Sequence, residues 1–313
     1  MSICLPQTAF EEIRCWVSRN ARPLDFALWR YHFEAGSAKE VLRALALYQN
    51  ADGGFGKGIE PDNWNPESTP YNAHFVLGIL EEIGLARPGE PMAEQIFQYL
   101  LSTPYRGEEG WLFSVPDNDR FPHAIWWTYS EDASIRNGIG LTGNLIGEIL
   151  RAAKPGTPIH ALALTYAERL MDGLRSPGEY GDMGLKGYLD LLQGLRAAGQ
   201  GDRFDLLWLE EKTRALLSAQ FDQIVWSNHI DMAGIFLTPQ SPFYADHEQA
   251  VEQALTELIA LRPSGGVWPI PWTWHDGGAY RDEFAISENW WKASKATEKL
   301  LFLKAYNRLS EVL

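Results

Sequence analysis

The chain has 313 residues, 45% of them hydrophobic and 22% charged, with a net charge of −14. That composition supports a large core and excludes a disordered polyelectrolyte, while the acidic balance removes the sequence-independent attraction to nucleic acid or anionic lipid. The two cysteines, Cys4 and Cys15, exclude a disulfide framework and lack CxxC spacing, which fits a reducing, cytoplasmic setting.

In chain order, residues 7–19 and 23–35 read as two helices, Pro23 suiting a first turn. Ser37 with Glu40 forms a capping box for a third helix, on which Val41, Leu42, Leu45 and Leu47 recur at helical spacing. That helix stops at Gln49–Gly56, QNADGGFG, where Asp52, Gly53 and Gly54 break the pattern and Phe55 anchors the chain. A loop carrying Glu60-Pro61-Asp62-Asn63-Trp64 follows. Ser68 is then expected to cap a helix to about Gly84 that is apolar nearly all round, the pattern of a buried helix.

A more polar helix spans 91–103, and a long loop, 104–137, carries Trp126, Trp127, Glu131 and Asp132. An apolar helix, 138–153, bears Gly140, Gly143 and Gly147, which permit close approach of a neighbour. Helices near 159–173, 182–198 and 203–220 follow, then an irregular stretch holding His229 and Asp231, then a helix at 246–261. Loop 262–287 carries Trp268, Trp272 and Trp274; the final helix, about 288–309, begins at a capping Glu288 and holds Trp290 and Trp291. No run of apolar residues reaches the roughly 18 that a spanning helix needs. The first 16 residues lack the basic and apolar regions of a signal peptide.

Helix, Gly-and-aromatic stop, loop, more apolar helix: this order recurs. The stop aromatics are Phe55, Trp111, Trp226 and Trp268, at unequal intervals that mark a degenerate repeat with loop insertions. Gln49-x-x-Asp52-Gly53-Gly54-Phe55-Gly56 resembles the QxxDGGF/W repeat of the terpenoid cyclase and protein prenyltransferase superfamily, and Gly265-Gly266-Val267-Trp268 looks like a poorer copy. The Glu60-Pro61-Asp62 segment and the tryptophan-rich end look similar to bacterial members with no assigned activity. The resemblance implies an all-α (α/α)6 toroid, one domain over 1–313, with a structural motif that ties each outer helix to the next inner one. The known activities of that superfamily do not carry over: neither DxDD nor DDxxD occurs, and the cysteines lie away from the zinc site of the prenyltransferases.

In such an alternation the long loops share one rim. They hold eight of the 13 tryptophans and −12 of the net charge of −14. Carboxylates with indoles suit a sugar face or a cation, and twelve negative charges oppose a diphosphate. The candidate acid and base residues are therefore Glu60, Asp62, Glu131 and Asp132, with Trp64, Trp126, Trp127, His229, Asp231, Trp272, Trp274 and Trp291 as ligand-binding candidates. Glu60 and Asp62 are expected to be exposed on the rim. Asp52 is read as a turn former, and Glu131 and Asp132 have helix capping as an alternative. A single His229-x-Asp231 is a weak metal signal, so neither metal nor cofactor is expected. The expected partner is a small hydrophobic or glycan-like molecule, with no nucleic acid and no membrane, treated by carboxylate acid and base chemistry. Two alternatives stay open: a non-catalytic binding toroid, and a glycan hydrolase or lyase on a similar double ring of helices.

Overall fold

In the computed structural model, residues 3–175, 183–222, 237–275 and 278–310 are described. Among them are eleven α-helices and no β-sheet, so the all-α expectation holds. The helices are α1 (Gln7–Asn20), α2 (Pro23–Phe33), α3 (Ala38–Leu45), α4 (Pro70–Glu82), α5 (Pro91–Ser102), α6 (Glu131–Ala152), α7 (Pro158–Arg175), α8 (Gly184–Ala197), α9 (Leu206–Asp222), α10 (Glu248–Ala260) and α11 (Arg281–Ala305). None is long and apolar enough to cross a membrane.

Local chemistry sets most boundaries. The Glu40 carboxylate accepts the Ser37 amide at 2.9 Å, half of the expected capping box. The cap of α4 is Thr69, whose hydroxyl accepts the Asn72 amide at 3.1 Å ahead of Pro70. This corrects the assignment to Ser68, which the motif engages instead. Helix α6 begins at Glu131, seven residues earlier than its apolar run indicates, because its first two turns are largely solvated and carry no apolar stripe. Helix α11 likewise starts at Arg281, so Glu288 lies within it, paired with Lys292 at 2.6 Å, and caps nothing.

The chain divides into two compact units, 1–44 with 218–313, and 45–217. In the first, α11 packs against α1, α2 and α10. The chain ends meet there: the Leu5 amide donates to Arg308 O at 2.7 Å, and the Ser310 amide donates to Leu5 O at 3.0 Å. Phe10, Trp29 and Phe33 form its aromatic core, and a buried ion pair joins Arg22 to Asp25 at 2.8 Å. The Trp268 indole reaches back to Leu258 O, in the last turn of α10, at 2.9 Å.

In the second unit, α4 packs on α6 and α6 on α8, while α5 packs on α7; α4–α5 and α6–α7 contacts join the two rows. The α4, α6, α8 row is the more buried one. Gly147 of α6 lies so near α8 that a Cβ there would sit 2.2 Å from Asp190 O, and one on Gly194 would sit 2.5 Å from Gly147 Cα. Further up, Gly143 faces Gly187 and Gly140 faces Met183, so the two helices run parallel. The Trp111 indole donates to Leu100 O, near the end of α5, at 3.0 Å, repeating the fold-back seen at Trp268.

Candidate functional site

The motif builds the platform. Asp52 Oδ1 accepts both the Gly54 amide at 2.9 Å and the Ser68 hydroxyl at 2.8 Å, which fixes Asp52 as a turn former. Gly53 has φ +86, open to glycine at little cost. At Gly56 a Cβ would lie 2.2 Å from Pro66 O, so the returning loop passes directly over the turn. Phe55 is fully buried, and its carbonyl accepts the Thr69 amide and the Asn72 side chain at the start of α4. Turn and α4 are thereby one hydrogen-bonded joint.

The loop that follows is buried, which corrects its expected exposure: Glu60 and Asp62 retain only 4% and 2% of their surface. A second loop covers it. The Ala124 amide donates to Asp62 O at 2.8 Å, the Trp64 amide to Pro122 O at 3.0 Å, and Asn63 pairs with His123. Asn118 is the hub. Its carbonyl oxygen accepts from the side chains of Asn63 at 3.1 Å and Asn65 at 2.9 Å, and its amide donates to Ser114 Oγ and Trp127 O. Trp64 is half-buried, its indole donating to Pro61 O at 3.0 Å. None of the three asparagines stood out in the sequence, since each reads as an ordinary loop residue.

Next to these carboxylates lies a polar stripe on α4 and α6. His74 Nδ1 and Glu148 Oε1 are 2.7 Å apart, both buried. An ionised Glu148 accepts the imidazole proton; a protonated Glu148 donates its own. Burial pushes the Glu148 carboxyl above the usual range, opposed by His74 and then Lys186 and reinforced by Asp190. Its Oε2 has no hydrogen-bond partner, nor has Asn144 Oδ1 one turn away on the same helix. Tyr71, one turn before His74, is raised well above the ordinary phenol by burial and then by the charges of Glu60, Asp62 and Glu148, so all three carboxylates are felt at its hydroxyl. Its ring meets Trp127 edge-on at 4.5 Å and Phe113 at 5.3 Å, and those two rings stack 4.8 Å apart. His74 and Glu148 were legible only as polar residues inside apolar helices; that they meet is a consequence of α4 packing on α6.

The remaining candidates are scattered. Glu131 and Asp132 sit exposed in the first turn of α6 and accept no capping hydrogen bond; Ser130 is the N-cap residue. As acidic residues in a first turn they favour the helix dipole. Trp127 is buried in the aromatic wall, whereas Trp126 beside it is 39% exposed. Trp274, Trp272 and Trp291 belong to the other unit. Trp274 is core, and Trp272 is half-buried edge-on to Trp291 at 5.5 Å. Trp290 and Trp291 are both half-buried; Arg22 lies over the first and Lys295 over the second. His229 and Asp231 fall outside the described residues.

Among the described residues, no three His, Cys, Asp or Glu side chains converge as a metal would require. Open clefts lie away from the stripe. One, of about 200 Å³, runs under residues 104–112 against Ile135 and Thr142; another, of about 480 Å³, lies along α1 beside Trp16. Comparison with protein-family models, with curated proteins and with solved structures found no match.

Proposed function

We propose that the chain is an α/α toroid of the terpenoid cyclase and protein prenyltransferase type that takes a small hydrophobic or glycan-like molecule at an acidic, aromatic-walled site and acts on it by carboxylate acid and base chemistry. The toroid reading is supported by two rows of helices, by parallel neighbours within the inner row, by the QxxDGGF joint and by the pairing of the chain ends. The observation that carries the functional reading is the buried His74–Glu148 pair, with Glu60 and Asp62 also buried and their charges, like that of Glu148, felt at Tyr71. Burying three like-charged groups within reach of one phenol opposes folding, and such arrangements concentrate where chemistry needs them. In this reading Glu148 and His74 exchange a proton, Glu60 and Asp62 set the field, and the Tyr71, Phe113 and Trp127 rings hold the apolar face of the ligand.

The test is the double variant Glu60→Gln plus Asp62→Asn. Groups kept for function are a stability liability, so the melting temperature should stay level or rise, and any thermal shift given to the wild type by sugars, amines or isoprenoids should vanish. Carboxylates that serve only to hold the loop would instead cost about 1–3 kcal/mol for each partner left unsatisfied, with the ligand shift retained. That second pattern would refute the assignment.

A further inference from the structure

Two clefts of the first unit meet at Trp16. One, of about 480 Å³, follows α1 past Thr8, Glu12, Cys15 and Arg19. The other, of about 490 Å³, is lined by Leu261, Pro263, Val267 and Pro269 and by Lys292 of α11. The half-buried Trp16 indole lines both, so together they make a groove with a polar half and an apolar half. Leu261 keeps 64% of its surface exposed there, apolar area that an occupant would gain by covering. The charges that line the groove are matched except one. Glu11 pairs with Arg14 at 3.3 Å, Glu12 with Arg262 at 2.8 Å and Lys292 with Glu288 at 2.6 Å. Among the described residues, Arg19 pairs with none. The end of α1 does not draw on it either, since the carbonyls of Cys15, Trp16 and Val17 accept from Ser18 Oγ, Asn20 Nδ2 and the Ala21 amide. On a chain of net charge −14, Arg19 is a point that attracts an anion. It stands one turn beyond Trp16, where Cβ atoms are about 5–6 Å apart, so an anion held there lies beside the indole. A neutral sugar would leave the guanidinium unanswered, an amine would be repelled by it, and a bare phosphate would leave the apolar half uncovered.

We infer that this groove binds a hydrophobic carboxylic acid in its ionised form, the carboxylate on Arg19 and the hydrocarbon body over Trp16 into the cleft of Leu261, Pro263 and Pro269. A planar guanidinium meets a carboxylate with two parallel N–H donors, which an ammonium cannot do. The inference goes beyond the proposed function, because the groove belongs to the unit that lacks Glu60, Asp62, His74 and Glu148. Cys15 reports on occupancy: its exposed thiol lines the same cleft one turn before Arg19, whereas the exposed Cys4 lines neither cleft.

Calorimetric titration with octanoate, octylamine and acetate tests it, with iodoacetamide labelling of Cys15 and Cys4 as a second reading. Octanoate should bind saturably, about fivefold or more tighter than either other probe. It should slow the labelling of Cys15 and leave that of Cys4 unchanged. Arg19→Gln should weaken octanoate binding about fivefold, and Leu261→Ser should weaken it too. Both side chains are exposed, so both variants should melt as the wild type does. Glu60→Gln plus Asp62→Asn should leave octanoate binding unchanged. No saturable binding, octylamine binding as well as octanoate, or octanoate binding untouched by Arg19→Gln would overturn the inference and leave the proposed function standing. Octanoate binding lost in the double carboxylate variant and kept in Arg19→Gln would move the ligand to the buried carboxylates, overturning this inference and supporting the proposed function.

Discussion

Glu148 is the residue where the cost of the site is most concentrated. It bonds His74 of α4 and feels the charges of Lys186 and Asp190 of α8, and its own charge is felt at Tyr71 and at Arg151. Burial dominates and raises its folded pKa above the ordinary 4.5. The sign follows from linkage. The unfolded chain loses this proton first, so the contribution to stability is full below the ordinary value and is lost as pH rises through the folded one. Melting curves of the wild type and Glu148→Gln between about pH 4 and pH 8 should therefore converge at the acid end, with the wild type falling progressively behind. A wild type that gains on the variant as pH rises would mean that the ion pair with His74 outweighs desolvation. Asp117 illustrates the opposite sign: the Tyr105 hydroxyl and then Arg120 hold its carboxyl below the usual range, so its contribution is lost on acidification.

At the scale of elements, the joint between rows and the contact between α6 and α8 are the parts least tolerant of change. Adding one methyl at Gly147 puts it against the backbone of Asp190, which no side-chain rotation relieves. Gly147→Ala should cost about 1–3 kcal/mol, the usual range for overpacking. Gly78, in the interior of α4, is the internal control, since a Cβ there would meet nothing within 4 Å. Gly78→Ala should stabilise by about 0.5–1 kcal/mol, because it removes backbone freedom from the unfolded chain at no steric cost. Chemical denaturation of both variants checks the pair, and equal effects would show that α6 and α8 do not meet through their glycines. The two fold-back indoles, Trp111 and Trp268, show how the stop works: each ends its helix by satisfying a carbonyl in the last turn that has no intrahelical donor.

For the whole molecule, the net charge of −14 is the property with the clearest consequence. Like charges spread over a folded surface repel one another more than in the expanded chain. Raising the ionic strength from about 0.01 M to about 0.15 M shortens the screening length from roughly 30 Å to 8 Å, so the melting temperature should rise. A fall over that range would mean that local ion pairs such as Arg14–Glu34 and Arg203–Glu168 outweigh the overall repulsion.

The sequence by itself determined what depends on local chemistry. Helix content, the Ser37–Glu40 box, the turn at Asp52-Gly53-Gly54 and the aromatic stops follow from capping, φ preference and periodicity, all written within a few residues. Boundaries failed where a helix carries no apolar stripe, as in the first turns of α6 and α11. Of the site, the sequence marked Glu60, Asp62 and Trp127 by residue type and position. Tertiary structure alone decided that the two carboxylates are buried, because their cover comes from residues 118–128, some sixty positions away. It alone joined His74 to Glu148, 74 residues apart, by laying α4 on α6. A buried polar residue in an apolar helix announces only that a partner is required; which residue supplies it is a property of helix packing, and packing is not local.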